Sequence, residues 1–487
     1  MSSRRAARDA LAVVAASLIL FGALEVGARW LGVGAPGQVP LRAPAPGTFR
    51  ILALGGSTVQ GVPDGTQGFV AQLERGLRRT APDRPLEVVN LARAGAGSTH
   101  VRATLAAALA ERADLVIALM GHNEFLAPPP GPLQRLRDAS RIAGAIAGVF
   151  ASDPPPEDPF PDALAPVDRD SRGYRRTVAG FHRNLDAVVA LAAEAGVPLF
   201  LCTAPANLAE WPPAHRRLAW PRGRPDPEHD ALRIYQEGRA LAAAGRAGAA
   251  RERFARARDL DPIPRRAFGS FNDAVRAKAG SAGVRVIDVA ARFEEVADAG
   301  LVGFDLVCDN CHPTPKGHAI IAREIAAAMA EQGLFLARGT PVAPLPTWQS
   351  WNEARLGDAG QRRDQRLRWA LSNAIYAMKT PFFHYEASRR YLREAEALAP
   401  DDWRVHANLA TLDLLEGDVE SGRRALARAA ALRGAALDPD DRSITPYLKE
   451  ALEALEGLAS PEPSPREASE SPSQAEVTDP LPSDGGS

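Results

Sequence analysis

From Phe49 onward, the chain repeats one pattern, in which a short apolar run precedes an amphipathic stretch. Each apolar run has four to six residues, is rich in Val, Ile and Leu, and is bounded by Gly, Pro or charge. Such runs predict strands buried on both faces, and the stretches between them predict helices. The predicted strands are Ile51–Leu54, Leu86–Leu91, Leu115–Met120, Pro198–Cys202 and Val284–Val289. Strands that alternate with helices predict an α/β fold, a three-layer α/β/α sandwich around a parallel sheet.

Length and charge limit the classes of function. With 487 residues, the chain is long enough for two or three domains. The 58 Lys and Arg residues nearly balance the 59 Asp and Glu residues, so no basic field predicts nucleic-acid binding. Three cysteines, Cys202, Cys308 and Cys311, do not make a disulfide scaffold. At most one pair forms, and Cys202 is either a member of it or a buried apolar thiol.

The first 33 residues predict an export signal. Three arginines within the first eight residues precede the apolar run Ala10–Leu24, which is long enough to span a bilayer once Glu25 is included. We expect residues 1–33 to be a single uncleaved span in a bacterial inner membrane, with a linker at 34–48 and the remainder in the periplasm. Cleavage after Ala28 would give a secreted protein, and a buried core helix is a third interpretation.

The rest of the chain divides into three parts. The α/β pattern occupies residues 49–338, with a helical insertion at about 231–263. A second helical region covers 365–457, and the tail at 460–487 is rich in Pro, Ser and Glu, which predicts disorder.

Both helical regions have small and apolar residues at the spacing of two antiparallel helices. They resemble tetratricopeptide (TPR) repeats, with a period of about 34 residues in the second region. The matching residues are Gly238, Leu241, Gly245, Ala250, Phe254, Ala257 and Pro262 in the first region, and Leu392, Ala395, Pro400, Leu409, Ala410, Gly417, Leu426 and Ala429 in the second. Ordinary helical hairpins in an Ala-rich protein are the alternative. The TPR resemblance implies a protein partner.

Candidate site residues follow the predicted strands. Ser57 comes directly after the first strand, behind two glycines, where ligands of parallel sheets bind. Gly95 follows the second strand, and Asn123 follows the third. A backbone N–H and a side-chain amide suit negative charge developing on a carbonyl oxygen. His122 stays open as an alternative general base.

After the last strand, the chain reads Asp309-x-x-His312. This spacing lets one short turn orient the imidazole through a carboxylate while its other nitrogen faces a serine, as a serine hydrolase requires.

Four segments, which we call blocks, contain Ser57, Gly95, Asn123 and Asp309–His312. In this order they resemble the sequence blocks of the SGNH/GDSL hydrolases, which carry serine, glycine, asparagine and histidine. The resemblance covers about residues 49–332 and implies an SGNH (flavodoxin-like) sandwich and an esterase without cofactor or metal. It implies Ser57 as the nucleophile, Asp309 and His312 as its partners, and the amides of Ser57, Gly95 and Asn123 as the oxyanion hole.

Two positions depart from the family pattern. Gly56 stands where the family usually has Asp before the nucleophile, and Glu124 stands where an Asp usually follows the asparagine. These departures put the subfamily and the substrate in doubt. The whole chain looks like membrane-anchored bacterial relatives with added TPR units. An acylated polysaccharide or lipid of the cell envelope is the expected ester, and an O-acyltransferase with the same triad is the alternative.

Two further interpretations remain open. Cys308-x-x-Cys311-His312 is also the attachment pattern of c-type haem. A TPR scaffold on an inactive SGNH platform would be a binding protein. A metal site is not predicted, because His312 and His318 flank a turn without a third ligand.

Overall fold

The computed structural model describes residues 41–126, 165–220, 223, 225–341, 358–379, 382–438, 444–445, 447–449 and 451–452. The predicted anchor at 1–33, with its cleavage position after Ala28, and the predicted tail at 460–487 lie outside these residues. Within the described part of the chain, no helix is both long enough and apolar enough to cross a bilayer.

Five strands form one parallel sheet, as the sequence predicts. They are β1 (Phe49–Gly55), β2 (Leu86–Asn90), β3 (Leu115–Leu119), β4 (Leu199–Cys202) and β5 (Val284–Ile287). Their order in the sheet is β2-β1-β3-β4-β5, and every neighbouring pair is parallel. The chain crosses from β2 over β1 to β3, so the ends of these three strands lie side by side.

Helices lie between the strands and after the last one. In chain order they are α1 (Ser57–Gln60), α2 (Phe69–Thr80), α3 (Ser98–Ala108), α4 (Arg172–Glu194), α5 (Ala231–Ala243), α6 (Ala247–Asp259), α7 (Gly269–Arg276), α8 (Val289–Val296), α9 (Pro315–Gln332), α10 (Ala359–Met378), α11 (Tyr385–Leu398), α12 (Trp403–Glu416) and α13 (Val419–Arg433). The spacing of apolar residues predicts a start for α4 at Val178, but Ser171 begins it earlier by accepting a hydrogen bond from the Tyr174 N–H at 3.0 Å.

The sheet separates two apolar layers, which confirms the three-layer sandwich. Along β1, Ile51 and Ala53 belong to one layer and Leu52 and Leu54 to the other, because successive strand residues point to opposite faces. The first layer is covered by α2, α8 and α9, and the second by α3, α4 and α7. The loops after the strands therefore meet at one edge of a rigid core.

The predicted insertion forms a helical hairpin of α5 and α6. The two helices cross at Gly238, where a Cβ would lie 2.7 Å from the Phe254 ring. The hairpin packs through Ile234 and Phe254 against the segment after β4, which includes Leu208. The insertion thus extends the sandwich near the site.

The C-terminal helices α10–α13 form two successive hairpins. The first helix begins at Ala359, before the predicted start at 365, because the Asp358 side chain caps it. An apolar cluster joins α10 and α11 to the α/β domain through Trp211, Phe304 and Cys308. The helical region is therefore packed against the loop that carries Asp309 and His312.

Candidate active site

The residues that the sequence places after β1 and before α9 come together. Ser57 Oγ lies 2.7 Å from His312 Nε2, and His312 Nδ1 lies 2.5 Å from Asp309 Oδ2. Asp309 and His312 are buried, whereas Ser57, the first residue of α1, is partly exposed. The hydroxyl, imidazole and carboxylate thus form one hydrogen-bonded chain that ends at an accessible oxygen.

The loop before α9 is a closed turn that holds the ring in place. Asp309 Oδ1 accepts the backbone N–H groups of Cys311 (2.9 Å) and His312 (2.8 Å). The Cys308 N–H donates to the His312 carbonyl oxygen at 2.8 Å. Both oxygens of Asp309 are therefore engaged, one in shaping the turn and the other in orienting the imidazole. The Asp-x-x-His spacing is what allows one carboxylate to do both.

The blocks after β2 and β3 meet beside the turn that begins with Ser57. Asn123 Nδ2 donates to the Ala96 carbonyl oxygen at 3.1 Å, which leaves its second N–H available. Gly95 precedes Ala96 and has φ +74°, a conformation that favours glycine. A Cβ on Gly56 would lie 2.5 Å from Asn123 Nδ2. Glycine at position 56, the first departure from the family pattern, therefore leaves room for the Asn123 amide.

The second departure, Glu124, has a structural role. Its carboxylate is buried and accepts hydrogen bonds from Ser98 N (2.8 Å) and Ser98 Oγ (2.6 Å) at the first residue of α3. Burial raises the pKa of the Glu124 carboxyl. The longer side chain thus ties the Asn123 block to the Gly95 block through the N-terminus of α3.

His122, the alternative general base, is engaged elsewhere. Its Nδ1 accepts the Ala267 N–H at 3.1 Å, and burial, helped by His312, lowers its pKa to about 3. His318 is similar, because its Nδ1 accepts the Phe69 N–H at 3.2 Å and burial lowers its pKa to about 3. Both rings are neutral near pH 7, and His312 is the imidazole whose Nε2 faces Ser57 Oγ.

The two buried histidines predict stability that is lost in acid. Their pKa is about 3 in the folded chain and 6.5 for an unperturbed ring, so the unfolded chain binds more protons between these values and stability falls as pH falls through that window. From pH 7 to pH 5, we expect each ring to remove about 2 kcal/mol from the free energy of unfolding. Urea unfolding at pH 7 and at pH 5 measures this loss. In His318→Gln, the free energy of unfolding should fall between these pH values by about 2 kcal/mol less than in the parent. An equal fall in the variant and in the parent would contradict a neutral, buried His318 ring.

The helical region contributes a side chain that contacts the His312 ring. The ring of Tyr376 on α10 meets the His312 ring edge-on, with centroids 5.8 Å apart, and its hydroxyl lies 3.4 Å from Asn310 Oδ1. The Lys379 ammonium lies 4.7 Å from the centroid of the Tyr376 ring. Burial, and then Asp309, raise the pKa of Tyr376 well above its usual value, so the phenol stays protonated. Sequence spacing carries no signal for this contact, because 64 positions separate the two aromatic residues.

Tyr376 is therefore expected to be a positioning residue for the base. Tyr376→Ala should lower kcat about 10-fold on a simple ester, because the imidazole loses the wall that limits its orientation. Tyr376→Phe keeps the ring edge and should stay within about threefold of the parent. Steady-state kinetics with thermal melting of each variant checks this. Equal kcat for the folded Ala variant and the parent would contradict a positioning role.

The three cysteines are free and buried. Burial is the largest cause of a raised pKa at all three, to about 12 at Cys202 and well above the usual value at Cys308 and Cys311. They are therefore protonated thiols rather than nucleophiles.

Within the described residues, one group could hold a metal ion, and it consists of Asp309, Cys311 and His312. Both ring nitrogens of His312 are already engaged, one by Asp309 and the other by Ser57. These contacts favour the hydrogen-bonded triad over ligation of a metal or of haem iron by His312.

A family of known proteins matches part of this chain. Residues 53–228 match the GDSL-like Lipase/Acylhydrolase family. The match covers the blocks of Ser57, Gly95 and Asn123, and it ends before Asp309. No curated protein matches the chain.

Several solved structures are similar to this chain. An alpha/beta hydrolase from the metagenome of Lake Arreo, Spain, is 17% identical, with 59% of this chain and 97% of that chain covered at a TM-score of 0.32. A variant of an acetyl xylan esterase from Geobacillus stearothermophilus is 16% identical, with 61% and 96% covered at 0.33. A GDSL-like lipase from Bacteroides thetaiotaomicron is 12% identical, with 61% and 94% covered at 0.31. At such low TM-scores, these likenesses say nothing about the substrate of this chain.

A parallel α/β sandwich with the blocks of Ser57, Gly95 and Asn123 after its strands is typical of the GDSL/SGNH class of hydrolase. The chain contains a GDSL/SGNH hydrolase domain and is a serine hydrolase of that class.

Proposed function

We propose that this chain is an esterase that uses Ser57 as nucleophile, His312 as general base and Asp309 as the group that orients the base. The observation that carries the proposal is the unbroken chain of hydrogen bonds from Asp309 Oδ2 through the His312 ring to Ser57 Oγ, at 2.5 and 2.7 Å. The neutral, engaged state of His122 supports the same choice of base.

The proposed reaction has two steps. His312 Nε2 takes the proton of Ser57 Oγ as that oxygen attacks the ester carbonyl, and the resulting imidazolium gives the proton to the leaving alcohol. Water then attacks the acyl-serine while His312 removes its proton, and the imidazolium returns that proton to Ser57 Oγ as the bond to the acyl group breaks and the carboxylic acid leaves. The backbone N–H groups of Ser57 and Gly95 and the remaining N–H of Asn123 stabilise the negative carbonyl oxygen in both steps.

The sequence supports a location for this reaction outside the cytoplasm. Three arginines followed by the apolar run Ala10–Leu24 support an N-terminal anchor and a periplasmic catalytic domain. An acylated polysaccharide or lipid of the envelope is then the proposed ester. The hairpins in α5–α6 and α10–α13 have small residues where helices cross, which supports a TPR-like assignment. Such an assignment supports a protein partner for the C-terminal helices.

A panel of p-nitrophenyl esters from acetate to decanoate tests the activity. We expect turnover by the purified chain with a measurable kcat/KM on at least the acetate ester. Absence of turnover across the whole panel, from a protein with a cooperative melting transition, would contradict an esterase.

A further inference from the structure

Two cations act on the aromatic ring that contacts the catalytic imidazole. Lys379 directly follows α10, three positions after Tyr376, a spacing that places two side chains on one face of a helix. The Lys379 ammonium lies 4.7 Å from the centroid of the Tyr376 ring. Arg265 also acts on this ring, because its charge lowers the pKa of the phenol against the larger, opposite effects of burial and Asp309. The ring beside His312 therefore lies in a positive environment.

Two separations limit how far the ammonium is from the catalytic imidazole. The Tyr376 centroid lies 4.7 Å from Lys379 Nζ and 5.8 Å from the centroid of the His312 ring, so Nζ lies at most about 10.5 Å from the centre of the imidazole. Loss of hydration lowers the pKa of Lys379, and the charge of Asp309 acts in the opposite direction. The long, flexible lysine side chain can therefore reach a group a few bonds away from an ester oxygen bound at His312.

The charge of Lys379 has no acidic partner in the described part of the chain. No carboxylate there forms an ion pair with this ammonium, and the side chain is exposed. Asp309, the acid that acts on it, already accepts hydrogen bonds from His312 and from the turn. By contrast, the exposed Lys316 pairs with Asp305. The Lys379 ammonium is therefore available to an anionic group of a ligand.

The proton transfers of the proposed reaction decide which part of the ester lies on this side. His312 Nε2 gives its proton to the leaving alcohol, so the alcohol oxygen must lie within hydrogen-bond distance of that nitrogen. The carbonyl oxygen points instead to the N–H groups of the oxyanion hole. Since Tyr376 packs on His312 and Lys379 packs on Tyr376, the alcohol part is the part of the ester nearer to the ammonium.

We propose that Lys379 is a specificity residue, which binds an anionic group, a carboxylate or a phosphate, on the alcohol part of the ester. The inference rests on the proposed esterase function and deepens it, because it names the class of alcohol. It also gives α10 a role in substrate selection, since one end of this helix provides both the ring that contacts His312 and the cation that selects the alcohol.

Steady-state hydrolysis of two acetyl esters by the full chain tests the proposal. In 4-acetoxybenzoate, a carboxylate lies across a benzene ring from the ester oxygen, and in its methyl ester the same position is neutral. The measured quantity is the ratio of kcat/KM for the charged ester to kcat/KM for the neutral ester. We expect Lys379→Met to lower this ratio about fivefold and Lys379→Glu to lower it further. In the parent, raising the ionic strength from about 0.02 M to about 0.5 M should also lower it, because salt screens an exposed ion pair.

Two further variants serve as controls. Lys379→Arg keeps the positive charge and should keep the ratio within about twofold of the parent. Lys278→Met removes the same charge from a lysine that pairs with Asp186 on α4, and it should leave the ratio unchanged. Thermal melting of each variant checks its fold.

The outcomes are distinct. A lower ratio in Lys379→Met, with kcat/KM for the neutral ester kept within about twofold, supports the proposal. An unchanged ratio overturns it, and so does an equal fall for both esters, which would mean that Lys379 acts on the triad. If Lys379→Met does not fold, a ratio in the parent that is independent of salt overturns it.

A third ester tests the side on which the anion binds. Mono-p-nitrophenyl succinate carries its carboxylate on the acyl part, and a loss in Lys379→Met confined to this ester would overturn the placement on the alcohol part. A parent that hydrolyses the methyl ester but not 4-acetoxybenzoate would also contradict the proposal. Turnover of the methyl ester by the parent tests the esterase function separately, so the anion site can fail while the esterase function stands.

Discussion

Ser57→Ala is expected to lower kcat for p-nitrophenyl acetate by about 10⁴-fold or more, with little change in stability. The hydroxyl is the group to which His312 Nε2 is hydrogen-bonded, at 2.7 Å. Without it, no covalent acyl intermediate can form, and the remaining rate reflects binding and the oxyanion donors alone.

The control for this variant is Ser270→Ala, which removes the hydroxyl of an exposed serine in the first turn of α7. It should retain kcat and KM within about twofold. Thermal melting of both variants separates loss of chemistry from loss of fold. If Ser57→Ala kept most of the parent activity, the nucleophile would have to be another residue.

Asp309→Asn has the second largest expected effect, a loss of about 10³- to 10⁴-fold in kcat. The amide oxygen can still accept the N–H groups of Cys311 and His312 that shape the turn. Its NH₂ group then faces His312 Nδ1, which favours the tautomer that carries its proton on Nε2. That tautomer cannot accept the proton of Ser57.

Asp305→Asn is the matched control for this prediction. Asp305 precedes the same turn but is exposed and pairs at the surface with Lys316. Its substitution should change kcat by less than about twofold. A fall of similar size in both variants would indicate general damage to the loop rather than loss of the group that orients the base.

The sheet and the residues of the candidate site could be predicted because they are local in sequence. Each strand is a compact apolar run. Ser57, Gly95 and Asn123 each follow a strand within a few residues, so the parallel topology brings them to one edge. The Asp309–His312 turn is equally local, since the three-residue spacing determines its hydrogen bonds.

The remaining features depend on contacts between segments distant in sequence. Tyr376 on α10 contacts His312, and α10 also lines a cavity together with His318. The sequence pattern of α10 does not indicate which of its faces packs on the hydrolase domain. The early start of α4 depends on one capping side chain, which outweighs the weaker apolar periodicity before Val178. Gly56 and Glu124 depart from the family pattern in sequence. The structure explains them by their contacts, with Asn123 for Gly56 and with Ser98 for Glu124.

The central claim is that Ser57 is a hydroxyl activated by His312, and labelling with a fluorophosphonate tests it most directly. Phosphonylation expels fluoride and leaves a covalent adduct that peptide mass spectrometry can locate. We predict one adduct, on the peptide that contains Ser57, and no adduct there after His312→Ala within the same labelling time. A folded parent chain that carries no adduct at Ser57, or one that is labelled as fast without the imidazole, would contradict the account.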